Sequence, residues 1–144
     1  MMDRRTPRLA VAALVRVGDA KTGRYAFINR AGEVLITPKC DAVWMFRGGF
    51  ATIRIGTYQT GRYGYINKRG ETVIAPTCDA ANTFADGLAS VRIGDEKTGR
   101  WGFIDKQGRM VIKPQYGSAG PFIDGLAPVN VGDAKTGKWG DISR

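Results

Sequence analysis

The stretch Arg100-Trp101-Gly102-Phe103-Ile104-Asp105-Lys106-Gln107-Gly108 decides the fold, because versions of it recur along the chain. A period of about 20 to 50 residues indicates that one supersecondary unit has been copied, and that each unit buries its apolar face against a neighbour. The sequence therefore predicts a tandem array. The copies lie 38 residues apart, as shown by the glycine that precedes each block: Gly23, Gly61, Gly99 and Gly137.

Each copy contains signals for a strand, a long loop, a second strand and a tight turn. Residues 89–93 alternate between apolar and polar side chains, which predicts a strand with one buried face, called strand A. A loop bounded by Gly94 and Gly99 follows, and residues 100–105 are predicted as strand B. The turn at 105–108 ends in a glycine, which takes a positive φ at little cost, and this predicts a hairpin.

A third strand, strand C, is predicted at 110–113 and is expected to end before Pro114, because proline cannot donate to a strand ladder. Each copy is then a three-stranded antiparallel meander. Types A and B occur four times and type C three times, which gives about eleven strands. We predict an all-β fold of tandem 38-residue repeats. The repeats form either an open solenoid or a propeller-like array, and the incomplete last copy favours the open form.

The connector at 114–125 shows no strand alternation and is predicted to be irregular but packed. A large aromatic side chain that recurs at one position of a connector is usually buried. We therefore expect three phenylalanines to fill the core between successive meanders: Phe46, Phe84 and Phe122.

The predicted domain organisation is a basic N-terminal tail at 1–11 and one repeat domain at 12–144, with copies at 12–49, 50–87, 88–125 and 126–144. The half copy leaves open whether 1–144 is a piece of a longer array. The arginines before the apolar run 9–15 resemble the start of a signal peptide, but the second half of that run matches strand A of the other copies. No apolar run approaches the ~20 residues of a membrane span. We expect a soluble protein, and the cytoplasm is favoured.

Composition narrows the possible functions. The 43% hydrophobic and 24% charged residues are an ordinary globular balance. The formal charge of +9 indicates attraction to polyanions or to acidic protein surfaces. The chain has no histidine, which removes the commonest general base and the commonest metal ligand. We expect no cofactor and no metal site.

These repeated blocks resemble the WG-containing, or KWG, repeats. The residues that carry the resemblance are 100–105, the Val-Ile-Lys-Pro-Gln-Tyr block at 111–116 and the Phe-Ile-Asp-Gly-Leu-Ala block at 122–127. The resemblance covers about residues 12–144. It implies a largely bacterial β-repeat module that acts as an interaction surface, and no catalytic residues come with it.

The first two copies depart from this pattern. Tyr25 and Tyr63 replace the tryptophan, Ala26 replaces the glycine, and Cys40 and Cys78 stand where Tyr116 stands in the third copy. Two interpretations of the cysteines are open: small core residues, which are favoured, or a disulfide between adjacent copies. A zinc site is disfavoured because tetrahedral sites take four ligands.

Two features that could indicate an enzyme, a phosphate-loop motif and scattered carboxylates, are not supported by the surrounding sequence. The segment 132–138 has the Gly-x4-Gly-Lys spacing of a phosphate loop, but Trp139 stands where a serine or threonine would bind magnesium. Carboxylates occur mostly in loops, without the paired and differing environments that a hydrolase needs. We therefore expect a protein that is not an enzyme.

A repeated set of basic and aromatic residues gives the functional hypothesis. If these side chains are exposed, the basic residues of successive copies form a row, here called the ladder, with the aromatic rings between them. If they are not, the aromatic rings belong to the core and the arginines cover a face of the sheet. We predict a non-catalytic module that binds another protein, with binding of a polyanion or glycan, such as nucleic acid or a cell-envelope polymer, as the alternative. The candidate ligand contacts are Arg54, Arg92, Arg62, Arg100, Trp101 and Trp139.

Overall fold

The structure, a computed structural model, describes residues 11, 13–17, 24–132 and 137–144. Most of the tail predicted at 1–11 therefore lies outside the described residues. All regular secondary structure in these ranges is β-strand, as predicted, and they contain no helix long and apolar enough to cross a membrane. The strands are β1 (Ala13–Val17), β2 (Arg24–Ile28), β3 (Val34–Ile36), β4 (Ala42–Val43), β5 (Ala51–Ile55), β6 (Arg62–Ile66), β7 (Thr72–Cys78), β8 (Ala80–Ala81), β9 (Leu88–Ile93), β10 (Arg100–Asp105), β11 (Met110–Tyr116), β12 (Ser118–Ala119), β13 (Leu126–Val131) and β14 (Lys138–Ser143).

The strands form four antiparallel sheets that follow one another along the chain. Their spatial orders are β1-β2-β3, β4-β5-β6-β7, β8-β9-β10-β11 and β12-β13-β14. In every sheet an A strand pairs with the following B strand, and in the first three sheets the B strand also pairs with a C strand. The tandem hairpin fold predicted from the 38-residue period is confirmed.

The connectors are more regular than predicted. Each contains a two-residue strand, β4, β8 or β12, that pairs with the free edge of the next A strand, so the described residues hold three strands beyond the eleven predicted. Each connector then closes a two-residue hairpin, as at Ala85 and Leu88, whose backbones exchange hydrogen bonds of 2.9 and 3.1 Å. The turn residues Asp86 and Gly87 have φ of 51° and 78°, the mirror-image turn that Asp-Gly favours.

The prediction that strand C ends before Pro114 is wrong, because β11 continues to Tyr116. Phe103 faces Ile112 and Trp101 faces Tyr116. The two partners lie two residues apart in β10 but four residues apart in β11, so β11 contains a bulge. Pro114 lies in the resulting bulge, where a strand tolerates proline.

This bulge explains the glycine of the Trp-Gly pair. A Cβ placed on Gly102 would lie 2.4 Å from the carbonyl oxygen of Ile112 and 2.8 Å from the nitrogen of Pro114. Gly64 meets the backbone of β7 in the same way, with the carbonyl oxygen of Ile74 at 2.4 Å. In the first copy, where Ala26 replaces the glycine, β3 stops at Ile36 and no such bulge forms. The absence of a Cβ therefore lets the C strand cross the B strand.

The A and B strands of the two middle sheets are buried on both faces, whereas the alternation of strand A predicted one buried face. Ala89 and Val91 pack in the core shared with the second sheet. Ser90, on the opposite face, is 1% exposed and its hydroxyl accepts a 2.8 Å hydrogen bond from the amide of Asn82. A small polar residue with a partner is buried at little cost, so it does not mark an exposed face.

Three hydrophobic cores lie between consecutive sheets, and within the described ranges no core joins the first sheet to the fourth. Among the described residues, the cores follow one another from the first sheet to the fourth. Phe84 and Phe122 are buried in the second and third cores and contact Tyr65 and Phe103 edge to face at 4.9 Å. Phe46 is half-buried against the first core.

We expect Phe122→Ala to lower the free energy of unfolding by about 3–5 kcal/mol, because the buried ring leaves a cavity. Phe122 is 1% exposed, whereas its neighbour Ile123 is 63% exposed. The matched control Ile123→Ala is expected to change stability by less than about 0.5 kcal/mol. Chemical denaturation of both variants measures the difference, and similar losses would contradict the packing described.

Gly102→Ala is expected to destabilise the protein by about 1–3 kcal/mol, because its methyl group would overlap the backbone of β11. Gly140 is the equivalent glycine of the last copy, and no atom lies within 4 Å of a Cβ placed there. Gly140→Ala is therefore the control and is expected to melt like the unmodified protein. A loss of stability in both variants would show that backbone freedom, rather than the bulge, requires glycine at this position.

Candidate binding surface

The long loops between strands A and B are held by their own hydrogen bonds. In the loop at 94–99, Oδ1 of Asp95 accepts hydrogen bonds from the backbone nitrogen of Lys97 at 2.9 Å, and from the backbone nitrogen and hydroxyl of Thr98 at 2.6 and 2.9 Å. These donors, those of Thr98 first, lower the pKa of Asp95. A Cβ on Gly99 would lie 2.4 Å from the carbonyl oxygen of Asp95, so the glycine lets the loop close tightly.

The equivalent loop at 56–61 closes with hydroxyl groups instead of a carboxylate. The hydroxyls of Thr57 and Thr60 lie 2.7 Å apart, and that of Thr57 also accepts a 3.0 Å hydrogen bond from the backbone nitrogen of Thr60. The backbone nitrogen of Gly61 donates to the carbonyl of Thr57 at 2.7 Å. Both loops therefore have defined shapes with different chemistry at their surfaces.

Two arginines of the predicted ladder tie strand A to these loops. Nε of Arg54 donates to the carbonyl of Gly56 at 3.0 Å, and Nε of Arg92 donates to that of Gly94 at 2.9 Å. Both side chains are half-buried. Part of their hydrogen-bonding capacity is thus used within the protein.

Asp79 joins the second sheet to the third. Its Oδ1 lies 2.9 Å from Nη1 of Arg62 in β6, and its Oδ2 accepts a 2.7 Å hydrogen bond from the backbone nitrogen of Gly94. Nη2 of Arg92 also lies 3.5 Å from the carbonyl oxygen of Asp79. One carboxylate therefore sets the distance between a B strand and the next long loop.

An open cleft of about 890 Å³ lies between the two long loops. Tyr58, at the tip of the first loop, is 78% exposed and forms part of its wall. Three cationic and three acidic side chains line the cleft, so its formal charges balance: Arg62, Arg92, Lys97, Asp79, Asp95 and Glu96.

The cleft brings together two of the six predicted ligand contacts, Arg62 and Arg92. Arg54 is not among its lining residues, and Arg100 donates from Nη1 to the carbonyl of Gly99 at 3.2 Å. Trp101 is half-buried against the third core, whereas Trp139 is 62% exposed on β14. These six side chains therefore occupy several environments.

Arginine and the aromatic of the repeat face each other across each A–B pair of the first three sheets. Arg16, Arg54 and Arg92 have Tyr25, Tyr63 and Trp101 as their partners in register. The guanidinium of Arg16 lies 5.0 Å from the ring centroid of Tyr25, a cation–π contact. In each of these sheets the arginine of strand A is thus the cross-strand partner of the aromatic residue of strand B.

Tyr58, Asp79 and Glu96 are cleft residues that the sequence interpretation missed. Asp41 and Asp79 each follow a cysteine at the same position of adjacent copies, and each accepts a 2.7 Å hydrogen bond from the first glycine of a long loop. This recurrence was a usable signal for Asp79.

The two cysteines are free thiols in separate cores. Cys78 is buried between the second and third sheets, and Cys40 packs half-buried against the core between the first and second. Burial raises the pKa of both thiols, that of Cys40 to about 11. They are small core residues, the interpretation that the sequence favoured over a disulfide. Within the described ranges, no three His, Cys, Asp or Glu side chains are grouped to hold a metal.

The model of the WG containing repeat family matches residues 25–56, 63–96 and 101–139, which together make up more than half of the chain. Each match is about as long as the 38-residue period. No curated protein and no solved structure matches the chain.

Substitutions at Asp79 separate its two interactions. We expect Asp79→Ala to lower the free energy of unfolding by about 1–2 kcal/mol, because the backbone nitrogen of Gly94 loses its acceptor. Asp79→Asn keeps an oxygen for that nitrogen and is expected to cost less than about 1 kcal/mol, because the ion pair with Arg62 is partly exposed. Urea denaturation distinguishes the two. Equal losses would mean that the charge of Asp79, rather than its hydrogen bond, holds the loop.

Proposed function

Because this chain belongs to the family of WG containing repeats, we propose that it is a non-catalytic binding module whose ligand is another protein. The observation that carries the proposal is the cleft between the loops at 56–61 and 94–99, which combines balanced charges with an exposed tyrosine. Repeat arrays commonly use the surfaces formed between neighbouring copies for binding.

The charges of the cleft favour a protein over a polyanion. Protein interfaces match positive and negative groups on both partners, which fixes orientation and excludes wrong partners. A nucleic acid or acidic glycan requires an excess of cations along its backbone. In the cleft, Arg62 already pairs with Asp79, and Arg92 donates to two carbonyls. The net charge of +9 is therefore not concentrated at this site.

The loops are also suited to binding because they are ordered by internal contacts. Asp95 holds one loop closed and the two threonine hydroxyls hold the other. A preorganised surface loses less conformational entropy when a partner binds. Tyr58 supplies a large amphipathic side chain, the kind that often dominates the energy of an interface.

The shifted pKa values of Asp95, Asp105, Cys40 and Cys78 have local structural causes and are not those of a tuned general acid, general base or thiolate. Hydrogen bonds from Thr98 and Arg109 lower the pKa of Asp95 and of Asp105, whereas a general acid or base works best with a pKa near the operating pH. Burial raises the pKa of Cys40 and Cys78, so neither is poised as a thiolate nucleophile.

The alternative ligand is a polyanion or glycan, and the overall charge of +9 favours it. Its binding would fall steeply with salt through counterion release, whereas a mixed protein interface need not respond in this way. Titrations with single-stranded DNA, RNA and an acidic glycan at two salt concentrations measure this directly.

We expect a photoreactive residue at Tyr58, in cells of the native organism, to crosslink a discrete protein. The same residue at Gln107, which is exposed in a tight turn at the opposite end of the strands, is expected not to do so. Adding Arg62→Glu and Lys97→Glu is expected to reduce crosslinking by roughly tenfold or more, because interfacial charge reversal repels the partner.

The matched control carries the same charge change at exposed turn lysines, Lys68→Glu and Lys106→Glu. Crosslinking by this control at the unmodified level supports the cleft as the site. Equal loss in both double variants would attribute binding to net charge. Crosslinks to nucleic acid or glycan alone would contradict a protein ligand and support binding of a polyanion or glycan.

A further inference from the structure

A second cavity, of about 350 Å³, lies against the connectors rather than the long loops. Its walls come from three successive connectors: Trp44 from the first, residues 81–83 from the second and Pro121 from the third. Thr52 of β5 is the remaining lining residue. None of these lining residues is charged, whereas six charged side chains line the loop cleft. The cavity is therefore of a size and character that fit an uncharged small-molecule group.

One backbone contact recurs in three connectors with different side chains. In each, a connector residue donates its backbone nitrogen to a carbonyl oxygen of the next A strand. The pairs are Trp44–Thr52, Asn82–Ser90 and Gly120–Pro128, at 3.0, 2.9 and 2.8 Å. In the second pair, the amide of Asn82 also donates to the hydroxyl of Ser90 at 2.8 Å. In the first pair, the hydroxyl of Thr52 is buried and has no hydrogen-bond partner among the described residues.

Two features of the Trp44–Thr52 pair are unfavourable in the free protein. A buried hydroxyl without a partner loses its hydration without compensation. Tyr65 faces Thr52 across the strands, but it donates its own hydroxyl to the carbonyl oxygen of Asn82. Trp44 is 41% exposed, which leaves a large apolar ring in water. Asparagine, the residue of the next copy, would remove both features. Sequences tend to break such local rules at functional sites, so this pair indicates a ligand.

Trp44 is held in place beside the cavity. Its ring centroid lies 5.8 Å from that of Tyr63, with an angle of 38° between the ring planes. Tyr63 itself is half-buried against the second core. On the other wall, Asn82 has a second amide hydrogen and an Oδ1 to which no described group donates. The cavity thus combines a fixed aromatic ring with groups that donate and accept hydrogen bonds.

A sugar ring matches this combination. A pyranose with equatorial hydroxyls has a flat face of C–H groups that packs on an aromatic ring, and its hydroxyls both donate and accept hydrogen bonds. A proline-rich segment also packs on aromatic rings, but proline has no N–H and offers only carbonyl acceptors. It could not donate to Oδ1 of Asn82. The acceptor in the cavity wall therefore favours a sugar.

We propose that this cavity binds an uncharged sugar residue of a glycan, with the C–H face of the pyranose on Trp44 and its hydroxyls bonded to Asn82 and Thr52. Binding would cover the exposed ring and give the Thr52 hydroxyl its partner, so both unfavourable features of the free protein would favour the complex. The site is separate from the loop cleft, and it differs from a site for an acidic glycan because no cation lines it.

Isothermal titration calorimetry of the 144-residue chain with cellohexaose and with chitohexaose tests the proposal. Both are neutral β-linked oligosaccharides whose rings carry equatorial substituents. We expect at least one to bind, and Trp44→Asn to weaken its binding roughly tenfold or more because the aromatic ring is lost. Trp44→Asn should melt at the same temperature as the unmodified protein or higher, since the new amide would pair with Thr52 as Asn82 pairs with Ser90.

Thr52→Val keeps the shape of the side chain and removes the hydroxyl. We expect it to weaken oligosaccharide binding severalfold without lowering the melting temperature, because the hydroxyl has no partner in the free protein. A lower melting temperature with unchanged binding would show that the hydroxyl serves the fold and would overturn its assignment to the ligand.

Met45→Ala is the matched control, because Met45 is also exposed and lies next to Trp44 but outside the cavity. This variant and the cleft variant with Arg62→Glu and Lys97→Glu should bind the oligosaccharide unchanged, which separates this site from the proposed function. Binding of neither oligosaccharide, or binding that Trp44→Asn leaves unaltered, would overturn the proposal. A proline-rich peptide that binds and is lost in Trp44→Asn, with neither oligosaccharide bound, would show that the cavity takes a polypeptide instead.

Discussion

Burial of both faces of the A and B strands in the two middle sheets is the constraint on which the rest of this structure depends. The centres of these A strands have no solvent face for polar residues, so Ser90 is buried with Asn82 as its hydrogen-bond partner. The connector phenylalanines fill the space between sheets, and edge-to-face contacts fix them against the aromatics of the B strands. Each repeat is therefore stable through its neighbours, and the long loops between strands A and B stay outside the packed cores.

The 38-residue period, the A and B strands and the glycine turns were predictable, because each depends on local signals that recur. The two-residue strands were not, since two residues are too few to show alternation. The continuation of β11 past Pro114 was also missed, because its bulge depends on the missing Cβ of Gly102 in the neighbouring strand. Such a contact is non-local, and the local rule that proline ends a strand hides it.

The candidate site was predictable in part. Repetition identified Arg62 and Arg92, but their arrangement depends on Asp79, which lies in a connector and links two sheets. Sequence periodicity places equivalent residues in equivalent sheets and does not give the distance between different repeat positions in adjacent sheets. The balance of three cations and three acids in the cleft arises because the structure brings two loops from adjacent sheets together.

Departures from the repeat, rather than the repeat itself, distinguish the possible binding surfaces. In the last copy, Gly117 and Asn130 stand at the positions of Asp79 and Arg92, so the brace that shapes the cleft has no equivalent there. Asp141 stands in the same copy at the position where the first three copies bury an aromatic side chain, Phe27, Tyr65 or Phe103. Identical copies would offer identical sites along the array. Because the copies have diverged, the residues that line the loop cleft are not repeated in the next pair of copies.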